Sequence, residues 1–250
     1  MLNAATLFDT AGTADSDGSI ATRSWNYGDG QTGTAENHLY VATGAYTATY
    51  TVTDDKGASA STTVAVAVAK CGAAGTAAAV LSPFSTVCVQ TTRGEMVFEV
   101  YPAQAPITAG NFLKYAGDGF YSGTLIHRVI PGFVIQGGGY QTGLLAKTPT
   151  YAPITLESNN GLKNWQYTLA MARTNQPNTA TSQFFINLVD NPALDYSATV
   201  PSPNGYAVFG QVISGTAVVD AIATVATTTT SGLSDVPVQD LVIRGMVSLP

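Results

Sequence analysis

Charged side chains are scarce in this chain. Asp, Glu, Lys and Arg together make up 10% of its 250 residues, against roughly 25% in an average soluble domain. The net charge is −6 and the ten basic residues are scattered, so no cationic stretch could follow a nucleic-acid backbone. We therefore expect no nucleic-acid partner. A surface of Thr, Ser, Asn, Gln and Gly is more typical of proteins outside the cytosol.

Long hydrophobic runs are also missing. No apolar stretch approaches the roughly 18 residues that a membrane-spanning helix needs, so we expect no membrane span. Met1 is followed by neither a basic nor an apolar leader segment, and we expect that an export signal preceded it. Hydrophobic residues make up 45% of the chain, which is enough to bury a sizeable core in one large domain or two ordinary ones.

Histidine is nearly absent, and this scarcity excludes several classes of enzyme. Only His38 and His127 could serve as a base in a serine hydrolase, and no G-x-S-x-G element surrounds any serine. Zinc catalysis usually needs two or three His or Cys ligands close together. Gly137-Gly138-Gly139 is not followed by the G-K-[S/T] of a phosphate loop, so we interpret it as a bulge or tight bend. This chain cannot readily supply such a set of zinc ligands, and we interpret His127 as a structural residue.

Cysteine occurs twice, at Cys71 and Cys88. Their separation matches neither a C-x-x-C redox motif nor a pair of metal ligands. We predict a disulfide, because the rest of the chain has an extracytoplasmic composition. Closing a loop of this size stabilises a fold by about 3 kcal/mol in the chain-entropy model. The alternative is two unpaired thiols.

The N-terminal part predicts an all-β sandwich over residues 1–69. Residues 45–52 and 61–68 are Thr/Val/Ala runs with strand-like alternation, and Asp54-Asp55-Lys56-Gly57 between them fits a tight hairpin. No helical period appears in this part. The Ala/Gly-rich residues 70–86 are interpreted as a linker or irregular strap.

Several turn and strand elements of this part resemble a PKD (polycystic kidney disease) repeat. They are Phe8-Asp9, Asp15-Ser16-Asp17-Gly18, Trp25-Asn26-Tyr27-Gly28-Asp29-Gly30, Gly44-Ala45-Tyr46 and Val52-Thr53-Asp54. The resemblance implies an immunoglobulin-like sandwich, N-terminally truncated here, and an extracytoplasmic location (periplasmic, cell-surface or secreted). Weak Ca²⁺ binding by Asp15, Asp17 and Asp29 is the alternative to a purely turn-forming role for these residues.

The pattern changes after residue 87. Residues 87–91 and 95–101 predict a hairpin around Thr92-Arg93-Gly94, with Met96, Phe98 and Val100 on one face. Helices are predicted over residues 105–116, with proline in the first turn, and over residues 216–226. Short strands fill the remainder. Residues 87–250 therefore predict a closed antiparallel β-barrel capped by two α-helices.

Five segments of this second part, in order, resemble the cyclophilin family. They are residues 120–124 (F-Y-S-G-T), 126–139 (I-H-R-V-I-P-G-F-V-I-Q-G-G-G), 170–173 (A-M-A-R), 181–187 (T-S-Q-F-F-I-N) and 206–210 (Y-A-V-F-G). The third and fifth segments are closest to the bacterial exported branch. The resemblance implies an eight-stranded barrel that catalyses cis/trans isomerisation of X-Pro bonds in client polypeptides without a cofactor.

The resemblance also implies individual roles. Arg128 matches the catalytic arginine, whose guanidinium donates toward the prolyl amide, and Phe133 and Gln136 complete the catalytic set. The substrate-binding set is Val134, Ala172, Arg173, Thr174, Gln183, Phe185, Leu194 and Tyr206.

Four residues depart from the family pattern. Val134 replaces a common Met, Arg173 a common Asn, Tyr206 a common His, and Ala193 a large aromatic residue. Residues 196–205 also form a longer loop than usual. The departures lie at the rim of the implied pocket.

A second interpretation belongs to another functional class. The barrel could grip proline-containing segments without turnover, as a surface module whose sandwich domain provides adhesion or spacing. The intact Arg128, Phe133, Gln136, Gln183 and Phe185 favour the isomerase.

Overall fold

The computed structural model describes residues 5–200 and 204–249. The chain divides into two compact units, Met1–Gly72 and Ala73–Pro250. The longest α-helix in the described part of the chain has 12 residues, too few to span a membrane.

The first unit, in its described part, is made of strands, as predicted. A four-stranded sheet has the order β3-β2-β5-β6, and β1 pairs with β4 in a second sheet. The predicted hairpin is present, with antiparallel pairing from Gly44 opposite Val68 to Thr53 opposite Ser59. The strands are β1 (Ala5–Leu7), β2 (Ile20–Asn26), β3 (Thr32–Gly33), β4 (Asn37–Leu39), β5 (Gly44–Asp54) and β6 (Ser59–Val68).

Aromatic side chains form the core of the first unit. The ring of Trp25 lies 4.4 Å from that of Phe8 and 4.8 Å from that of Tyr50, centroid to centroid. Tyr40 is fully buried, and its hydroxyl donates a 2.8 Å hydrogen bond to the carbonyl of Tyr27. The segment from Trp25 to Gly30 therefore supplies core residues as well as a turn.

The three aspartates considered for calcium have protein partners. Asp15 accepts a hydrogen bond from the backbone of Asp17, whose carboxylate pairs with Lys56 at 2.9 Å. Asp29 lies 2.7 Å from His38 Nε2, and this hydrogen bond lowers the pKa of Asp29. Among the described residues, no cluster of three metal-ligating side chains includes any of the three. Calcium binding stays a prediction.

The second unit contains a closed antiparallel barrel of eight strands, as predicted. The ring runs β10-β13-β12-β14-β8-β7-β17-β9 and closes by pairing of β9 with β10, while β11 extends the edge of β10. Strands β15 and β16 form a separate two-stranded sheet. The strands of the second unit are β7 (Ser85–Thr91), β8 (Gly94–Val100), β9 (Thr124–Ile130), β10 (Val134–Gln141), β11 (Leu145–Ala146), β12 (Thr168–Met171), β13 (Phe184–Asn187), β14 (Val208–Ser214), β15 (Thr227–Thr230), β16 (Leu233–Pro237) and β17 (Val242–Leu249).

Two of the helices match the prediction. Helix α2 (Pro106–Gly117) packs against β14 and β17, and α3 (Thr216–Ala223) packs against β8, β9 and β10. Helix α3 ends three residues earlier than expected. A short 3₁₀-helix (Pro192–Leu194) precedes the loop that contains residues 196–205.

A third helix corrects the interpretation of residues 70–86 as a linker or strap. Helix α1 (Ala73–Leu81) packs against β8 and β14. The composition that suggested a linker is Ala-rich, and Ala has the highest helix propensity of all residues. Cys71 and Cys88 are disulfide-bonded, which confirms the predicted pairing.

Strand alternation gives the barrel two apolar faces. Successive residues of a strand point to opposite sides. Phe184, Leu169 and Phe209 enter the main core with α2 and α3. Their chain neighbours Phe185, Ala170 and Val208 belong to a separate small cluster. The second cluster therefore lies on the outer face of the barrel wall.

Candidate active site

The predicted catalytic residues lie in one row across neighbouring strands. Arg128 of β9 is the register partner of Gln136 on β10, and Gln136 is also opposite Phe185 on β13. Phe185 is in turn opposite Ala170 on β12. Since cross-strand partners share a face of the sheet, the guanidinium, the amide and the phenyl ring all project from the outer face.

These side chains border a hollow of about 130 Å³. Nine of the eleven predicted site residues line it: Arg128, Phe133, Val134, Gln136, Ala172, Arg173, Phe185, Leu194 and Tyr206. The other two, Thr174 and Gln183, line an adjoining groove of about 200 Å³, which Gln136, Ala172 and Arg173 share. A guanidinium therefore stands beside an apolar hollow with aromatic walls, and this arrangement can hold a small ring and donate to an amide.

The turn between β9 and β10 places Phe133 at the hollow. Gly132 has a φ of +71°, a conformation that glycine adopts without strain. The carbonyl of Phe133 accepts hydrogen bonds from the backbone of Leu188 at 2.9 Å and from Asn191 Nδ2 at 3.0 Å. Asn191 is itself fixed by a 2.8 Å hydrogen bond to the side chain of Asn187. These hydrogen bonds hold in place the turn that carries the Phe133 ring.

The glycine cluster shapes the polar side of the site. The register between β9 and β10 shifts at Gly137, which confirms the predicted bulge. A Cβ atom on Gly139 would collide with the side chain of Gln183. That side chain accepts a 2.9 Å hydrogen bond from Gln136 Nε2 through its Oε1. The absence of a side chain at Gly139 therefore gives Gln183 the room to hold Gln136.

Arg173 and Tyr206 form the rim of the hollow. The Arg173 guanidinium lies 4.6 Å from the centroid of the Tyr206 ring and donates hydrogen bonds to the carbonyls of Gly205 and Thr174. Two of its nitrogens, Nε and Nη2, thus donate to Gly205 of the long loop, and Nη1 donates to the neighbouring Thr174. Ala193 is exposed and does not line the hollow, and residues 201–203 of the long loop lie outside the described residues.

His127 is a buried neighbour of Arg128. Its side chain packs against Tyr140, with ring centroids 4.6 Å apart, and the residue is 5% exposed. Burial lowers the pKa of His127 to about 4, so the imidazole is neutral at physiological pH. This agrees with the interpretation of His127 as a structural residue.

Asp235 is a charged neighbour of the site that no sequence motif indicates. The Asp235 carboxylate lies 3.6 Å from Arg128 Nε. Asp235 belongs to a hairpin of β15 and β16 that lies against β9. It is 107 positions beyond Arg128 in the chain, and no motif connects the two, so only the fold shows the pair.

The barrel and its outer-face hollow define a class of protein. A guanidinium beside an aromatic hollow, with two glutamines on the polar side, suits the binding of an amide next to a small apolar ring. Proline is the residue in which an amide nitrogen belongs to such a ring. The fold and the site together are those of a β-barrel prolyl isomerase.

Residues 86–247 match the model of the cyclophilin type peptidyl-prolyl cis-trans isomerase family. The chain belongs to this family and is a cyclophilin-type peptidyl-prolyl cis-trans isomerase. Residues 2–68 match the model of the PKD domain, as the sequence predicts.

Known proteins resemble the second unit along most of their length. A peptidyl-prolyl cis-trans isomerase of Streptomyces antibioticus is 52% identical over 160 residues, which are 64% of this chain and 96% of that protein. Peptidyl-prolyl cis-trans isomerase B of Escherichia coli is 48% identical over 160 residues, 64% of this chain and 97% of that protein. A cyclophilin structure from Cryptosporidium parvum has a TM-score of 0.57 at 28% identity and covers 67% of this chain and 98% of its own.

Proposed function

We propose that Arg128 catalyses the rotation of X-Pro bonds by stabilising a twisted amide in the hollow that Phe133 and Phe185 border. The observation that carries this proposal is that one small cavity on the outer face of the barrel is lined by all three side chains. We further propose that the clients are proline-containing segments of proteins outside the cytoplasm.

The physical problem is an energy barrier and not a bond to be cleaved. Amide resonance sets a rotation barrier of about 18–20 kcal/mol. The two X-Pro isomers differ by only about 0.5–1 kcal/mol, yet they exchange in tens to hundreds of seconds. In the twisted state the nitrogen lone pair is released from the carbonyl and can accept a hydrogen bond. A donor aimed at this nitrogen binds the transition state more strongly than either ground state, as catalysis requires.

The other side chains of the hollow have supporting roles in this proposal. Phe133 and Phe185 hold the pyrrolidine ring, with Val134, Leu194 and Tyr206 completing the apolar wall. Gln136 faces the substrate backbone and is oriented by Gln183. A related cyclophilin structure from Cryptosporidium parvum was determined in the presence of the dipeptide Ala-Pro, which supports an alanyl-prolyl unit as the minimal ligand.

The test is a protease-coupled isomerisation assay on a proline tetrapeptide. Arg128→Ala should lower kcat/KM about 100-fold, the usual cost of removing one transition-state donor. Arg93→Ala is the matched control, because Arg93 is exposed in the same unit and contributes nothing to the lining of the hollow; it should retain the wild-type rate. Equal rates for wild type and Arg128→Ala would contradict the assignment.

The proposed location has support of its own. The Cys71–Cys88 disulfide is of a kind that persists in oxidising compartments, and the first unit matches the PKD domain. In the host cell, rapid acid quenching and thiol alkylation should leave both cysteines unlabelled until a reductant is added. Labelling of both cysteines without reductant would place the protein in a reducing compartment.

A further inference from the structure

Arg128 stands between two cavities. On one side lies the hollow described above, and on the other a groove of about 300 Å³ bordered by His127, Tyr140 and residues 232–234. The side chain is 38% exposed. A long side chain with open space on both flanks has many rotamers to lose on ordering. Catalysis requires that its donors are positioned accurately relative to the amide, since a misplacement of about 1 Å already lowers the rate strongly. The guanidinium therefore needs a partner that restricts its orientation.

Asp235 is the acidic group placed to do this. Its Oδ2 lies 3.6 Å from Arg128 Nε, and among the described residues this is the only ion pair of Arg128. The contact engages Nε and leaves the two terminal Nη groups for the substrate. A guanidinium is a rigid planar fork, so a carboxylate at Nε restricts the direction of its other donors.

The hairpin that carries Asp235 is built to present the carboxylate. Strands β15 and β16 pair with Thr228 opposite Val236, and Val236 is buried. Asp235 has a φ of +60°, a region uncommon for non-glycine residues although aspartate is among those enriched there. Ser234 Oγ donates a 3.1 Å hydrogen bond to Asp235 Oδ2. Such backbone conformations cost free energy and cluster at functional sites.

From these contacts we infer that Asp235 is a positioning residue of the isomerase, which holds the Arg128 guanidinium in its catalytic orientation from the β15–β16 hairpin. The inference rests on the proposed role of Arg128. The inference gives the β15–β16 hairpin a role in catalysis that no motif in its sequence indicates.

The first experiment replaces the carboxylate by an isosteric amide. Because the pair is partly exposed, the expected effect of Asp235→Asn is modest, about a threefold loss of kcat, with KM unchanged. The ¹H–¹⁵N resonance of Arg128 Nε should move in the full-length protein. Asp240→Asn removes the same charge from an exposed residue that forms no ion pair within the described part of the chain; it should leave both kcat and the resonance as in wild type. An unchanged kcat in Asp235→Asn would overturn the inference.

A double-mutant cycle separates positioning from a merely structural effect. Arg128→Lys keeps a cation but loses the planar fork, so Asp235→Asn should cost nothing further in that background. An equal loss in both backgrounds would show that Asp235 acts through the hairpin fold and would overturn the inference. The two proposals fail differently. Full activity of Arg128→Ala would contradict the role of Arg128, whereas an inactive Arg128→Ala with an unaffected Asp235→Asn would contradict the role of Asp235 alone.

Discussion

At the scale of single residues, the site depends on which face of a strand each side chain occupies. Phe184 and Phe185 are chemically identical neighbours, yet the first lies in the barrel core and the second lines the hollow. The resemblance of the motif order to the cyclophilin family implied Arg128, Phe133 and Phe185 as site residues, and the structure places all three at one hollow. The contacts of Arg173 could not be predicted, because they depend on Gly205 and Tyr206, which the fold brings near from a distant part of the chain.

His127 makes the stability of the second unit sensitive to pH. Burial lowers its pKa to about 4 from the usual 6.5. Since the folded-state pKa is the lower of the two, the unfolded chain binds a proton more readily in this interval. The contribution of neutral His127 is therefore complete above pH 6.5 and is lost as the pH falls toward 4. The difference between the folded-state and unfolded-state pKa of His127 corresponds to about 3 kcal/mol of unfolding free energy.

Replacement of His127 by glutamine tests this expectation. The variant should lose less unfolding free energy than wild type between pH 7 and pH 4.5, in urea titrations followed by NMR amide signals of β7 to β10. The acid response of the first unit, with its Asp29–His38 pair, should be the same in both proteins and serves as an internal control. If the unfolding free energy of the second unit changed with pH to the same extent in wild type and in the variant, His127 would not titrate as its burial implies.

At the scale of elements, helices and strands with a clear period were predictable and the irregular ones were not. Helix α2 has proline in its first turn and an apolar stripe, and its bounds were found almost to the residue. Helix α1 has five alanines among nine residues, so the sequence shows no apolar stripe that would distinguish a docked helix from a flexible linker. Its position is fixed by packing against β8 and β14, which is a tertiary effect.

The β15–β16 hairpin is another element whose tertiary packing could not be predicted from its local sequence. Its Thr-rich first strand and the turn at Ser231-Gly232 follow ordinary strand and turn rules. Nothing in the local sequence indicates that the hairpin lies against β9 and brings Asp235 to Arg128. The ion pair between residues so far apart in the chain results from the packing of this hairpin against β9. The sequence motifs therefore identified residues that line the hollow and missed Asp235, which forms an ion pair with Arg128.

At the scale of the whole molecule, the two units have separate cores. The first is aromatic and contains Tyr40 and Trp25; the second contains Tyr115 and Phe112 of helix α2, together with side chains of the barrel strands. Among the described residues, none belongs to both cores. Each unit therefore holds the apolar contacts that stabilise it, and we expect the isomerase to keep its activity when the first unit is destabilised.

A pair of matched substitutions tests this independence. Tyr40 and Tyr115 are both fully buried, one in each core, and truncation of a large buried side chain to alanine costs about 3–5 kcal/mol. Tyr40→Ala should unfold the first unit, seen as loss of its dispersed NMR amide signals and rapid proteolysis. It should change kcat/KM on a proline tetrapeptide by no more than about twofold, because Tyr40 belongs to the core of the first unit, whereas the hollow is lined by residues of the second unit. Tyr115→Ala should abolish activity and leave the amide signals of the first unit intact. If Tyr40→Ala lowered kcat/KM as far as Tyr115→Ala does, the two units would have to fold as one, and the sandwich would be part of what holds Arg128 in place.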